Sequence, residues 1–105
     1  MNFNEYENKA MSFRLPTATP TYALLNLSGE VGELHSLIAK AIRDGVKDRH
    51  DHIYNIKKEL GDILWCLTAV AVDAGFTLED VADLNIDKLT ARKANNTLTG
   101  SGDNR

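Results

Sequence analysis

Two short acidic motifs contain the residue types and spacings in this chain that favour chemistry. One is Glu30-Val-Gly-Glu33 and the other is Glu59-Leu-Gly-Asp62, and each lies in a stretch of apolar residues at helical spacing. The two carboxylates of each motif are three residues apart, so on a helix they share one face. Four carboxylates that converge in one small site favour a hard divalent cation, which prefers oxygen ligands.

The angular positions of these acids indicate that they converge. At roughly 100° per residue, the acids of each motif lie about 100° and 160° to the same side of their apolar stripe, measured from Val31 and from Leu60. A short loop makes the two helices antiparallel neighbours, and equal offsets then fall on the same side of the pair. Each motif also lies roughly 16 Å from the loop along its helix. The spacing therefore predicts that the four carboxylates meet.

Three glycines accompany the acids, namely Gly29, Gly32 and Gly61. Each is predicted in the interior of a helix, where glycine costs about 1 kcal/mol relative to alanine. Their position indicates a close approach of the two helices or a ligand that lies against the backbone. The alternative is a solvated acidic face, which is the usual setting of glutamates on helices.

The elements that must position these acids are predicted to be helices. The chain has 105 residues, enough for a single domain, and no strand pattern competes with the helical periodicity. The predicted class is all-α, with a four-helix bundle-like subunit in which two long antiparallel helices are flanked by shorter ones. The predicted elements are a helix from Asn4 to Phe13, a helix capped by Thr19 or Thr21 and ended by Asp44-Gly45, a polar loop from Val46 to His52, a helix from Ile53 to Ala74, a helix from Thr77 to Ala94, and a tail from Asn95 to Arg105 that is mobile or ordered by partners.

Apolar stripes on the two long helices define the predicted core. On the second helix the stripe consists of Leu24, Leu27, Val31, Leu34, Ile38, Ala41 and Ile42, and on the third of Ile53, Ile56, Leu60, Ile63, Leu64, Leu67 and Ala71. The segment from Ile63 to Val72 is apolar nearly all round, which predicts burial on more than one side. A monomer would expose part of that surface, so we expect a homodimer or a homotetramer.

Composition argues against several classes of protein. The net charge of −3 and the pI near 5.5 provide no general basic field for a nucleic acid polymer. The single cysteine, Cys66, excludes an internal disulfide framework and a multi-cysteine zinc site, and it is compatible with the cytoplasm. We expect neither a signal peptide nor a membrane segment, because the run from Ile63 to Val72 is too short to span a bilayer.

A second candidate site lies on the fourth helix. Asn85, Lys88 and Arg92 fall on one face at helical spacing, which suits an amide and two cations for binding phosphates beside a metal ion. The alternative is a basic C-terminal turn that the helix dipole favours. Asn26, one turn before Glu30, could orient a carboxylate or contact a substrate, and simple surface polarity is an equal alternative.

The other reactive or aromatic side chains favour structural roles. Trp65 lies off the main stripe of its helix and could stack on a base or fill an oligomer interface. Cys66 shares the acidic side but has no base at motif spacing, so we interpret it as a packing residue. His50 and His52 are expected on a solvated loop, and the absence of a Glu-x-x-His motif argues against a ferritin-like di-iron site.

Taken together, the motifs resemble those of a known family. Gly29-Glu-Val-Gly-Glu-Leu34, Lys58-Glu-Leu-Gly-Asp-Ile-Leu64 and Asn85-Ile-Asp-Lys-Leu89, followed by Arg92, are similar to the MazG-like branch of the all-α nucleoside triphosphate pyrophosphohydrolases. The family pattern is Glu-x-x-Glu, a spacer and Glu-x-x-Asp, and here 25 residues intervene. The resemblance extends from about Tyr22 to Arg92.

This resemblance implies an enzyme that hydrolyses a (deoxy)nucleoside triphosphate to the monophosphate and pyrophosphate with Mg²⁺, or with Mn²⁺ in its place. The residues that it implies as metal ligands and catalytic groups are Glu30, Glu33, Glu59 and Asp62. Glu30 or Glu33 would orient or deprotonate the attacking water. Lys88 and Arg92 would bind the phosphates, with Asn85 as a further candidate. Family members assemble as dimers or tetramers with sites near subunit contacts.

Two other functions are compatible with the same residues. A helical interaction module that responds to divalent cations, without catalysis, needs the acids but neither Lys88 nor Arg92. A purely structural oligomeric bundle needs neither set. The N-terminal segment lacks the aromatic and histidine pattern of the dCTP-preferring relatives, so the base preference stays open.

Overall fold

Four α-helices form the computed structural model of this chain, which describes residues 1–105 and contains no strand. The helices are α1 (Phe3–Ser12), α2 (Pro20–Asp44), α3 (Arg49–Asp73) and α4 (Leu78–Ala94). The all-α prediction is therefore confirmed, and both acidic motifs lie on the two long helices.

Side-chain caps fix the ends of α2 and α4 where the sequence predicted them. The Thr19 hydroxyl accepts a hydrogen bond from the backbone N–H of Tyr22, and Pro20 occupies the first turn of α2. Gly45 follows α2 with φ +77°, a conformation that glycine adopts without steric cost. Thr77 and Asp80 form a reciprocal capping box at the start of α4.

The start of α3 differs from the prediction. α3 begins at Arg49 rather than at Ile53, because the Asp48 carboxylate caps it by accepting hydrogen bonds from the backbone N–H groups of His50 and Asp51. The placement of His50 and His52 on a loop was therefore wrong, since both lie on the first turn of α3. The N-terminal turn of a helix can be polar throughout, so apolar periodicity alone missed it.

The antiparallel pair of α2 and α3 buries only part of each predicted stripe. Ala71 is buried, and the stripe residues that are half-buried are Leu27, Val31, Leu34, Ala41, Ile56, Ile63 and Leu64. Ala23 on α2 and Cys66 on α3 are buried, with exposed fractions of 0% and 1%. The predicted core residues Leu24 and Ile42 are 59% and 81% exposed, and further predicted stripe residues that are exposed are Ile38, Ile53, Leu60 and Leu67. The stripe was wrong at these positions because the helices carry more apolar residues than one helix contact can cover.

α1 lies against α3 and the start of α4. The indole N–H of Trp65 donates to the backbone carbonyl of Ala10 at 2.9 Å, so Trp65 packs against α1 within its own chain. The Glu7 carboxylate accepts from the backbone N–H of Leu78 at 2.7 Å. A bidentate pair between Arg14 and Asp73, at 2.7 and 2.8 Å, ties the connection before α2 to the end of α3.

α4 turns away from the long hairpin. Its axis lies at 96° to that of α3, and it contacts α1 and α3 but not α2. No single helix has the length and apolar composition to cross a membrane, and only the bent pair of α3 and α4 meets these criteria jointly. The orientation of α4 matters for function because this helix carries Asn85, Lys88 and Arg92.

Candidate metal centre and basic cluster

Three of the four predicted carboxylates meet between α2 and α3. Glu30 on α2 and Glu59 and Asp62 on α3 each offer a carboxylate oxygen, and these oxygens all lie within 4.8 Å of one another. Glu30 and Glu59 are half-buried and Asp62 is exposed, so the cluster opens to solvent on one side. The geometry suits one cation that bridges the two helices.

An orphaned oxygen in this cluster tests whether a cation fits. The Oε2 atom of Glu59 is buried and has no hydrogen-bond partner. A buried carboxylate oxygen without a partner is costly, and native structures seldom contain one. None of the ion pairs in the chain joins Glu30, Glu59 or Asp62 to a lysine or arginine. The all-oxygen donor set and the uncompensated charge fit a hard divalent cation such as Mg²⁺.

The neighbouring negative charges change the pKa of Glu30. Burial, first, and then the charges of Asp62, Glu59 and Glu33 raise the pKa of the Glu30 carboxyl. A bound divalent cation would act in the opposite direction by favouring the ionised form. The metal-free site therefore carries electrostatic repulsion that a cation would relieve.

Glu33 stands apart from this group. It lies one turn beyond Glu30 on α2 and is exposed, and its carboxylate is not among the oxygens that lie within 4.8 Å of one another. It is still near enough for its charge to raise the pKa of Glu30. Its role as a metal ligand stays a prediction.

Asn26 connects the two long helices beside the cluster. Its side-chain amide donates to the Cys66 sulfur at 3.3 Å, so the amide is directed across the interface. Burial, the largest influence, raises the pKa of the Cys66 thiol. The hydrogen bond from Asn26 lowers that pKa in part, and the charges of Glu30 and Asp62 raise it. Cys66 is therefore a protonated packing residue, as predicted, and the contact of Asn26 with a substrate stays a prediction.

The glycines beside the acids do not mark a close approach of the helices. A Cβ atom added at Gly32 or Gly61 would meet no atom within 4 Å, and one added at Gly29 would meet only the Asn26 Oδ1 atom, at 3.9 Å. The prediction of a close helix approach is therefore wrong in this chain. The space beside Gly32 and Gly61 remains open to a ligand or to another subunit.

Tyr6 is a neighbour of the cluster that the sequence did not indicate. Burial raises the pKa of its phenol, and the charges of Cys66 and Asp62 raise it further, so the hydroxyl stays protonated beside the acids. α1 carries no acidic or basic motif in line with those of α2 and α3, so motif spacing could not find Tyr6. The one available signal was its helical spacing, one turn before the small apolar residue Ala10.

The basic residues predicted to bind phosphate form a separate cluster on α4. Asp103 of the C-terminal tail accepts from the Lys88 ammonium at 2.8 Å and from the Arg92 guanidinium at 3.3 Å. Lys88 and Asn85 also line a groove of about 300 Å³ with Phe76, Asp80, Val81 and Leu84. The predicted mobility of residues 95–105 stays a prediction, but the structure places the tail against α4.

The acidic and basic clusters do not meet within one chain. Asp62 lies eleven residues before the end of α3, Lys88 lies ten residues after the start of α4, and the two axes meet at 96°. At about 1.5 Å per residue, this geometry separates the clusters by on the order of 20 Å. The sequence placed both sets beside one metal site, and the structure does not bring them together in one subunit.

Sequence comparisons place this geometry beside known proteins. A family model described as the MazG nucleotide pyrophosphohydrolase domain matches residues 18–97. The chain is 34% identical over 87 residues to a protein named "Gene 37 protein" of Mycobacterium phage L5, an alignment that covers 81% of this chain and 75% of the phage protein. No solved structure matches. Residues 1–17 and 98–105 lie outside the family match, so a single domain over residues 1–105 stays a prediction.

Proposed function

We propose that this chain, which belongs to the MazG nucleotide pyrophosphohydrolase domain family, hydrolyses a (deoxy)nucleoside triphosphate to the monophosphate and pyrophosphate in a Mg²⁺-dependent reaction. The observation that carries this proposal is the acidic cluster, in which three carboxylates lie within 4.8 Å and one buried oxygen has no partner. A solvated acidic face would leave its carboxylates apart and hydrated. The site instead needs positive charge, which a metal ion and its nucleotide would bring.

The residues have separate roles in this proposal. Glu30, Glu59 and Asp62 would hold Mg²⁺ or Mn²⁺, and Glu33 would complete the acidic set. When bound, the metal ion supplies positive charge that stabilises the negative charge developing on the leaving pyrophosphate. Glu33 is the exposed acid outside the tight group, so it is the better candidate to orient water or accept its proton. Asn26 would hold α2 against α3 at the level of Glu30.

The exposed surface of the subunit supports a homo-oligomer. The solvent-accessible surface is 7870 Å² and the radius of gyration 16.8 Å. An ordinary monomer of this mass exposes about 5,800 Å², and one of this length has a radius of gyration near 13 Å, both as rough estimates. Many large apolar side chains are exposed, so we propose that further copies of the chain cover them as a homodimer or homotetramer.

Six exposed apolar side chains of the long hairpin share one side of it, whereas Tyr22, Leu25, Tyr54 and Val72 are exposed elsewhere on the two helices. Counted at roughly 100° per residue from the buried Ala23 and Cys66, the six lie about 60° to 140° to the same side of each helix. These side chains are Leu24, Ile38, Ile42, Ile53, Leu60 and Leu67. Asp62 lies to the other side, so a second copy could cover the apolar side without blocking the acids.

The separation of the two clusters has a consequence within such an assembly. The phosphates of a nucleotide on the acidic cluster cannot reach Lys88 and Arg92 of the same subunit over on the order of 20 Å. We therefore propose that these cations, with Asn85, come from a neighbouring subunit. The three residues would still bind the phosphates, but they would belong to a different subunit from the acids that hold the metal ion.

Assembly can be tested by replacing an apolar residue that is exposed in the single subunit, because such a change should not unfold a monomer. Ile42 is 81% exposed in the single chain, so Ile42→Asp should leave an isolated subunit folded. If a second copy covers this side, the variant should dissociate, as measured by light scattering. Wild-type protein that scatters as a monomer of 11.6 kDa at micromolar concentration would contradict the proposed assembly.

The reaction is tested by pyrophosphate release from a panel of canonical and modified nucleoside triphosphates, with and without Mg²⁺. We expect stoichiometric monophosphate and pyrophosphate from at least one nucleotide, dependent on the metal ion. A metal-responsive interaction module would show a Mg²⁺-dependent rise in melting temperature without turnover of any nucleotide. A structural bundle would show neither response, and either result would overturn the proposed activity.

A further inference from the structure

The C-terminal tail, residues 95–105, is shaped to return to α4. Asn96 has φ +55°, and its backbone reverses the chain after the end of the helix. Gly100 and Gly102 have φ values of +100° and +90°, which residues with a Cβ atom rarely adopt. Arg105 then donates to the backbone carbonyls of Thr97 and Leu98 at 3.1 and 3.2 Å, closing the turn on itself.

This turn delivers one carboxylate to the two cations of the basic cluster. Asp103 contacts the Lys88 Nζ atom at 2.8 Å and the Arg92 Nη2 atom at 3.3 Å, and its backbone carbonyl accepts from Arg92 at 3.1 Å. Arg92 is buried, with a side chain that is 11% exposed, whereas the Asp103 side chain is 81% exposed. Arg92 is thus held within the fold and Lys88 is half-buried, whereas the anion paired with both lies at the surface.

We propose that the tail is an autoinhibitory strap, in which the Asp103 carboxylate occupies the position that a phosphate group of the substrate takes on Lys88 and Arg92. This inference rests on the proposed function of these two cations. The two hydrogen-bonded cations also hold the pKa of the Asp103 carboxyl below its ordinary value, so the strap remains charged at neutral pH. Binding of substrate then requires the tail to leave.

Replacement of the Asp103 carboxylate by a polyphosphate is favoured by the higher charge of the polyphosphate and by the solvent exposure of Asp103. A single exposed carboxylate forms only weak ion pairs, because solvent screens it and the side chain loses freedom. A polyphosphate carries several negative charges and more acceptor oxygens, so it binds the same cations more strongly. The strap therefore lowers the apparent affinity for polyphosphate without preventing its binding. Residues 98–105, which contain Asp103, lie outside the family match.

The test measures binding of inorganic tripolyphosphate to the metal-free full-length protein by calorimetry. Asp103→Asn keeps the size of the side chain and removes its charge, so it should tighten binding about three- to tenfold, the range for loss of two exposed ion pairs. Asp83→Asn on α4 is the matched control, because Asp83 is exposed and forms no ion pair. The control should bind like the wild type. The gain from Asp103→Asn should shrink as the salt concentration rises.

Two further readouts separate the strap from the proposed reaction. In steady-state assays Asp103→Asn should lower KM for the nucleotide by a similar factor, while kcat stays within twofold. In protein that also carries Lys88→Ala, Asp103→Asn should no longer tighten the binding of tripolyphosphate. Equal tripolyphosphate affinity for Asp103→Asn and Asp83→Asn would overturn the strap, even if the enzyme is active. Tighter binding by Asp103→Asn in a protein that hydrolyses no nucleotide would uphold the strap and overturn the proposed function instead.

Discussion

Between α2 and α3, three carboxylates lie within 4.8 Å of one another and form no ion pair, whereas on α4 two cations share the single carboxylate of Asp103. The acidic cluster lies in a helix contact that packing holds in place. The basic cluster lies on α4, and the carboxylate paired with it, that of Asp103, is 81% exposed. The acidic cluster has no positively charged partner within the chain. The basic cluster already has a negatively charged partner, Asp103, which a substrate phosphate would have to displace. In the proposed reaction, a metal–polyphosphate complex would bring positive charge to the acidic cluster and would replace Asp103 on the basic cluster.

The largest effect should come from removing one charge at the acidic cluster. Glu59→Gln keeps the shape of the side chain but weakens the metal site, so Mg²⁺-dependent pyrophosphate release should fall by at least about 100-fold. The metal-free variant should be as stable as the wild type or slightly more so, because repulsion is relieved. Its rise in melting temperature with Mg²⁺ should be smaller. Asp83→Asn is the control and should retain both responses. Wild-type turnover in Glu59→Gln would show that the acidic cluster is not the catalytic metal site.

A smaller effect is expected from the basic cluster. Lys88→Ala should lower kcat/KM by about 10- to 100-fold, the usual range for a hydrogen bond to a charged group. Arg92→Lys keeps the charge but loses the planar fork of the guanidinium, so its loss should be smaller. Neither change should alter the Mg²⁺-dependent rise in melting temperature, which depends on the acids. Unchanged kcat/KM in both variants would contradict the proposed binding of phosphate by Lys88 and Arg92.

Mixing these two variants tests whether the clusters meet across a subunit contact. Random pairing of the impaired Glu59→Gln and Lys88→Ala subunits into dimers should give one intact site in each mixed dimer, and so about a quarter of wild-type turnover above the residual activity of the two variants. A site built within one chain would gain nothing from mixing, because every subunit carries one defect. The measurement is turnover after the subunits are unfolded and refolded together, compared with each variant refolded alone.

The pH dependence of stability should separate the acidic cluster from the ordinary carboxylates. The raised pKa of Glu30 means that the native metal-free protein binds more protons than the unfolded chain, so Glu30 lowers the free energy of unfolding as the pH rises above the ordinary carboxyl value of 4.5. Asp73 and Asp103, with lowered pKa values, act in the opposite direction. Glu30→Gln should match the wild type below that pH and be more stable above the raised pKa, by no more than about 1 kcal/mol because solvent screens part of the repulsion. Urea unfolding in EDTA measures this difference, and saturating Mg²⁺ should reverse its sign.

The sequence by itself determined the elements and most of their ends. Caps such as Thr19 and Thr77 satisfy backbone groups within a few residues, so their effect is visible locally. The family also follows from the sequence, because the acidic motifs and the basic face of α4 are patterns of residue type and spacing. The start of α3 is the exception, since the cap at Asp48 precedes a polar turn that apolar periodicity does not distinguish from a loop.

Only the tertiary structure decided which residues come together. The rotation of α2 against α3 brings Glu30 to Glu59 and Asp62 and leaves Glu33 outside, and apolar residues on two faces of each helix made that rotation ambiguous in the sequence. The 96° turn into α4 depends on how α1 packs against α3 and α4, which are contacts between residues far apart in the chain. The contact of Asp103 with Lys88 and Arg92 depends on the path of the glycine-containing tail after α4. The residue types in that tail do not indicate which side chains it will contact. Spacing therefore shows which residues share a helix face, and packing between helices determines which faces meet.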